Sequence, residues 1–84
     1  MFNNLGKDLK VYPNPARSSF SIKLPELFNR VDIELRNTSG SVVWRDTRYR
    51  QKEFILKPDV ARGMYILSIT DNSGRNAVIK LLIQ

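Results

Sequence analysis

The sequence predicts an all-β fold, a sandwich of seven short strands. Three observations carry this. Apolar and polar residues alternate with a period of two through most of the chain, which puts every second side chain on one buried face. Clusters of Asn, Asp, Ser, Gly and Pro interrupt the alternation about every 8–12 residues, the spacing of a sandwich. No stretch keeps the 3.6-residue period of an amphipathic helix.

Taken in order, Leu9, Val11 and the Tyr12-Pro13 pair form a short first strand, which Pro13 and Pro15 end because proline donates nothing to a ladder. Phe20, Ile22 and Leu24 alternate with Ser19, Ser21 and Lys23 in a second strand closed by Pro25. Glu26 to Arg30 is a loop. In the third strand Val31, Ile33 and Leu35 face inward while Asp32, Glu34 and Arg36 face out. Asn37-Thr38-Ser39-Gly40 is a tight turn, with Gly40 free to take a positive φ. Val42 to Thr47 returns as a fourth strand, its pattern blurred by the consecutive Val42, Val43 and Trp44. Arg48 to Lys52 reads as a basic loop or exposed edge, and Phe54 and Leu56 as a fifth strand cut off by Pro58. Pro58 to Arg62 is expected to hold one turn of 3₁₀ helix. Gly63 then opens Met64 to Thr70, with Tyr65, Leu67 and Ile69 on one face. Asp71-Asn72-Ser73-Gly74 is a second hairpin turn. The last strand runs from about Asn76 to Ile83, with Ala77, Ile79, Leu81 and Ile83 on one side.

The chain has 84 residues, enough for one domain that buries roughly 60–65% of its unfolded surface. Such a core leaves little room for a deep catalytic pocket. Cysteine is absent, which excludes a disulfide framework, a thiolate metal site and a cysteine nucleophile. Histidine is absent too, so the commonest general base and zinc ligand are both missing. The chain therefore reads as a non-enzyme with no cofactor. A net charge of +6 favours an anionic partner. No apolar run approaches the ~20 residues of a membrane helix. Met1 to Leu9 has neither the charged nor the apolar part of a signal peptide, so any leader is expected outside this chain. Residues 1–8 read as the end of a linker, with Met1 as an added start residue, and 9–84 as the domain.

Val11-Tyr12-Pro13-Asn14-Pro15-Ala16 resembles the opening of the type IX secretion C-terminal sorting domain, in which a strand runs into a Pro-Asn-Pro turn. The resemblance continues in order through Phe20-Ser21-Ile22, Val31-Asp32-Ile33-Glu34-Leu35, Gly40 with Val42-Val43, and Phe54 with Leu56. Val60-Ala61-Arg62-Gly63-Met64-Tyr65 is similar to the family's "leucine, two residues, glycine, aliphatic, tyrosine" signature, with Val60 and Met64 replacing the usual residues. Lys80 precedes the aliphatic end Leu81-Leu82-Ile83-Gln84.

The resemblance implies a seven-stranded immunoglobulin-like antiparallel β-sandwich at the end of a larger exported cargo. Such cargo crosses the inner membrane by a general signal peptide, passes through the periplasm, and is directed through the outer membrane by the type IX translocon to the surface or the medium. A sortase-like peptidase commonly removes the domain, here by a cut expected in or before Met1 to Lys7. The resemblance nominates Pro13, Asn14, Pro15, Gly40, Gly63, Tyr65, Lys80, Leu81, Leu82, Ile83 and Gln84 as recognition residues.

Each nomination has a plainer structural reading. Pro13-Asn14-Pro15 also makes a rigid strand-ending corner. Gly63 supplies an unusual backbone angle, and Tyr65 an aromatic body whose hydroxyl ties a corner. Ile79, Leu81 and Ile83 fit a strand that completes the core, although an unpaired final strand offers an edge for a receptor. Arg45, Arg48, Arg50 and Lys52, interleaved with Trp44 and Tyr49, suggest a second function, a basic module binding carbohydrate or another anionic polymer. The plainer reading is a solvated edge whose charges oppose aggregation. No nucleic-acid motif accompanies the stretch and no nucleic-acid partner is expected. Asp32 and Glu34 read as the solvent side of the third strand, paired with arginines. Asn37-Thr38-Ser39 matches a glycosylation acceptor, but a turn explains it. The oligomeric state is open between monomer and strand-exchanged dimer.

Overall fold

A computed structural model describes residues 9–84. The expected linker, the added start residue and the cut within residues 1–7 lie outside the described residues. Seven strands follow in chain order: β1 (Lys10–Tyr12), β2 (Phe20–Lys23), β3 (Arg30–Arg36), β4 (Val42–Tyr49), β5 (Glu53–Leu56), β6 (Gly63–Asp71) and β7 (Asn76–Ile83). They form a three-stranded sheet in the order β1-β2-β5 and a four-stranded sheet in the order β4-β3-β6-β7. All neighbouring strands run antiparallel. The fold is the all-β sandwich that the period-two pattern predicts.

The alternation does its work most cleanly in β3 and β6. Val31, Ile33 and Leu35 and, facing the same layer, Tyr65, Leu67 and Ile69 are all buried. Register places Ile33 opposite Ile69 and Leu35 opposite Leu67, so the central pair of strands presents one continuous apolar face. Phe20 and Ile22 of β2 stand opposite Leu56 and Phe54 of β5 and supply the facing layer. Each such side chain contributes about 1.5–3 kcal/mol by leaving water. On β7 Ala77, Leu81 and Ile83 are buried, while Ile79 is only half-buried because this strand is the outer one of its sheet.

Two local expectations are corrected. β4 runs two residues further than its pattern suggests, to Tyr49, because Arg48 pairs with Val31 and Tyr49 with Arg30. The blurred run at its start reflects a register shift between Leu35 and Arg36, which stand opposite Trp44 and Val42. No 3₁₀ turn forms over Pro58–Arg62. That segment is irregular, with a bend at Arg62: Pro58 is buried, Val60 packs on the core, and the Ala61 carbonyl accepts the Tyr65 hydroxyl.

The two hairpin turns of the larger sheet are built alike. Asn37 Oδ1 accepts from the N–H groups of Ser39 and Ser41 at 3.1 and 3.0 Å and from the Ser39 hydroxyl at 2.8 Å. Asp71 Oδ1 does the same for Ser73 and Arg75 N–H, both at 2.9 Å, and for the Ser73 hydroxyl at 2.8 Å. In each turn the glycine closes the loop by donating to the first residue's carbonyl, with φ of 92° at Gly40 and 94° at Gly74. Only glycine takes that region without a Cβ penalty. The Asp71 version is buried and charged, and its Oδ2 accepts from Arg75 Nε at 2.9 Å. Arg75 then lies over the Phe28 ring, 5.0 Å from its centre, and ties the turn to the β2–β3 loop.

The flank between β4 and β5 is closed by Asp46 and Arg48. Their side chains meet at 2.9 Å, Arg48 Nη2 donates to the Ile55 carbonyl at 3.2 Å, and the guanidinium lies 5.4 Å from the Phe54 ring centre.

Burial pushes the Asp71 carboxyl up, but hydrogen bonds from Ser73 and Arg75 more than offset it and hold the group below its ordinary value. A carboxylate with a depressed folded pKa contributes stability above its unfolded value of about 3.9, and that contribution is lost as pH falls through the folded value. Asp71→Ala is therefore expected to cost about 1–3 kcal/mol in urea unfolding near neutral pH. The gap to the parent should narrow once pH drops below about 4.

Candidate recognition site

The chain leaves β1 through two cis peptides, Tyr12–Pro13 and Asn14–Pro15, and crosses from the edge of the smaller sheet to the edge of the larger one. There it lies along the end of β7. Asn14 Nδ2 donates to the Lys80 carbonyl at 3.0 Å, and Leu82 N–H donates to Asn14 Oδ1 at 3.3 Å. One side-chain amide thus supplies the donor and the acceptor that a neighbouring strand's backbone would supply. The backbone then takes over. Ala16 N–H donates to the Leu82 carbonyl at 2.7 Å, and Gln84 N–H donates to the Ala16 carbonyl at 2.8 Å, making a parallel bridge between Ala16 and Ile83.

Two groups nominated separately in the sequence are therefore one unit. The Pro13-Asn14-Pro15 corner is exposed and seated on Lys80 to Gln84. On the other side of β7, Gly63 stands opposite Ile83 and Tyr65 opposite Leu81. Tyr65 is 7% exposed, its hydroxyl tied to Ala61, and Gly63 has φ of 156°. Gly40 is not brought into the unit. It sits two strands away in the β3–β4 turn, at the same end of the sheet.

Within Lys80–Gln84 the side chains divide by face. Leu81 and Ile83 lie in the core. Lys80, Leu82 and Gln84 point outward, with Leu82 opposite Met64 and Lys80 opposite Ile66. The expectation of a wholly unpaired final edge is corrected here, since the corner covers its second half. Sequence reasoning missed Ala16, which is fully buried and carries the bridge. Its small size allows two backbones to approach, but nothing local names β7 as its partner.

The basic stretch does not form one site. Arg45 pairs with Glu34 at 3.2 Å and Arg48 with Asp46, while Arg50, at φ of 53°, donates its N–H to the Asn29 carbonyl. Asp32 and Glu34 are paired with Arg30 and Arg36, as their solvent face suggests. The amide oxygen of Asn37 is occupied within its own turn. An open groove of about 510 Å³ is lined by Ser21, Arg48, Gln51, Glu53, Phe54 and Ile55. Beside it the Tyr12 hydroxyl donates to the Glu53 carboxylate, which holds the phenol above its ordinary pKa. Among the described residues no cluster of acidic side chains is arranged to hold a metal ion.

Comparison with known proteins matches the chain to a family. A family model described as a secretion system C-terminal sorting domain matches residues 10–84. An endo-acting ulvan lyase of Formosa agariphila is 27% identical over 81 residues, 95% of this chain and 16% of that protein.

Asn14→Ala is expected to cost about 0.5–1.5 kcal/mol in urea unfolding, the usual net worth of such bonding. Amide exchange at Leu82 should quicken, while exchange at Ile33 in the centre of the sheet, read at conditions of local opening, stays as in the parent. Asn14→Asp should recover little, because a carboxylate has no donor for the Lys80 carbonyl.

Proposed function

The chain belongs to the secretion system C-terminal sorting domain family, and from that premise we propose that the corner seated on β7 is the part of it that is read. The domain is a C-terminal sorting signal for type IX secretion, the tail of a cargo protein bound for the cell surface or the medium. The family is a sorting signal and not itself catalytic. The match over residues 10–84, which takes in all seven strands, carries this function.

The finer reading is as follows. The sorting domain spans residues 9–84 and performs no chemistry. Its cargo is a larger protein that passes through the periplasm, meets the type IX translocon at the outer membrane, and loses the tail to a sortase-like peptidase. The chain spans 16% of the length of the ulvan lyase it matches, as expected of a tail joined to a larger protein. The cut falls in or before Met1 to Lys7, ahead of the sandwich. Recognition centres on Pro13, Asn14, Pro15, Lys80, Leu82 and Gln84. What supports this choice is that they are solvent-facing parts of one hydrogen-bonded unit. Leu81, Ile83, Gly63 and Tyr65 act by holding β7 in place, and Gly40 by closing its turn.

A periplasmic reporter fused to residues 9–84 should reach the surface or medium of a host with the matching system, and the unfused reporter should not. Export without the fusion, or none with it, removes the sorting reading. Deleting Lys80 to Gln84 should abolish both export and the β-sheet circular dichroism, because Leu81 and Ile83 leave the core with it. Lys80→Ala should keep the spectrum and lower export. Full export of a folded Lys80→Ala fusion would remove Lys80 from the recognised set.

A further inference from the structure

The outward backbone groups of β7 fall into two halves. Asp71 N–H donates to the Arg75 carbonyl, which sets the phase of the β6–β7 ladder. Odd-numbered residues of β7 therefore bond β6, and Asn76, Val78, Lys80 and Leu82 aim their N–H and C=O groups away from it. From the Lys80 carbonyl onward these groups are taken by Asn14 and Ala16. The N–H and C=O of Asn76 and Val78 and the N–H of Lys80 have no partner among the described residues.

Other edges are treated differently. On β5 the Ile55 carbonyl takes Arg48, and on β4 the Thr47 N–H is taken by the Asp46 carboxylate. β1 is three residues long and runs straight into Pro13. The open run on β7 also carries Val78, an aliphatic residue that is 62% exposed. Lys80, at its end, is exposed and in no ion pair among the described residues.

We infer that the β7 edge from Asn76 to Lys80 is a docking edge for one extended acidic peptide strand of a partner protein. The inference rests on the sorting reading, in which that partner belongs to the export machinery. A row of alternating donors and acceptors is complemented by an extended backbone. The aliphatic Val78 calls for an aliphatic neighbour, and Lys80 for a carboxylate, directly across the new pair. Asn14 blocks one end and the Asp71 turn the other, so the added strand is about five residues long and its register is fixed. Pairing of two copies through this edge is opposed by charge, since each brings +6.

Proline tests the edge with little harm to the fold, because an N–H that points to solvent bonds nothing in the ladder. The variants are Val78→Pro and Asn76→Pro, the latter at the first residue of the strand. Each is fused to the reporter and exported in the matching host, and each purified chain is melted by circular dichroism. Both proline variants should melt near the parent and lose export about tenfold, the worth of one or two backbone hydrogen bonds to the partner. Full export of a folded Val78→Pro fusion overturns the inference while leaving the sorting reading intact. If Val78→Pro fails to fold, Asn76→Pro decides on the same terms. Failure of the parent fusion overturns the sorting reading and this inference with it. A parent that sediments as a dimer, and becomes a monomer on Val78→Pro, overturns the acidic strand in favour of a second copy.

Discussion

A sandwich of two open sheets has four outer strands, and a domain of this size has a core too small to make pairing with other chains irrelevant to its fate. How those edges are closed is the constraint on which the rest depends. The decisive closure is the Asn14 amide on the backbone of Lys80 and Leu82. It lets the chain change sheets between β1 and Ala16 while covering the second half of β7, from the Lys80 carbonyl onward. It also joins residues 66 and 68 positions apart, so the first and last elements complete one another. The prolines on either side of Asn14 have no N–H to leave unpaired while the chain makes this crossing.

The opposite flank is closed by charge instead. Asp46 and Arg48 sit between β4 and β5, where Arg48 satisfies a β5 carbonyl and covers the Phe54 ring. Arginine suits this place because its stem packs on apolar surface while its planar head bonds at the rim. Much of the basic character of Arg45 to Lys52 is thus structural. Arg45 and Arg48 are committed to carboxylates, and Arg50 serves the loop through its backbone.

The parts of the fold legible in the sequence are those set by neighbours along the chain. Alternation in Val31 to Leu35 and in Tyr65 to Ile69 names the core face directly, and Asn37 and Asp71 announce their turns because each cage is closed within five residues. The illegible parts depend on partners far away. Arg48 and Tyr49 look like loop until Val31 and Arg30 stand opposite them. Pro58 to Arg62 looks able to form a helical turn, but the Tyr65 hydroxyl takes the Ala61 carbonyl and Val60 packs on the core instead. Pro13-Asn14-Pro15 and Lys80 to Gln84 each stand out in the sequence, but their union does not, because an Asn side chain in place of a strand leaves no periodic trace. Family resemblance supplied the nominations, and only geometry divides them into outward-facing and core residues.

The crossing has a mechanical consequence. Residues 14–16 run parallel to 81–84, and the bonds between them lie across both segments. If β7 is gripped while cargo drags on the N-terminal side, the load shears this patch. Asn14 and Ala16 must then release their bonds to β7 together, whereas a peeled hairpin opens one bond at a time. The tail is built to resist traction along its own axis and to yield to a force that lifts one strand sideways.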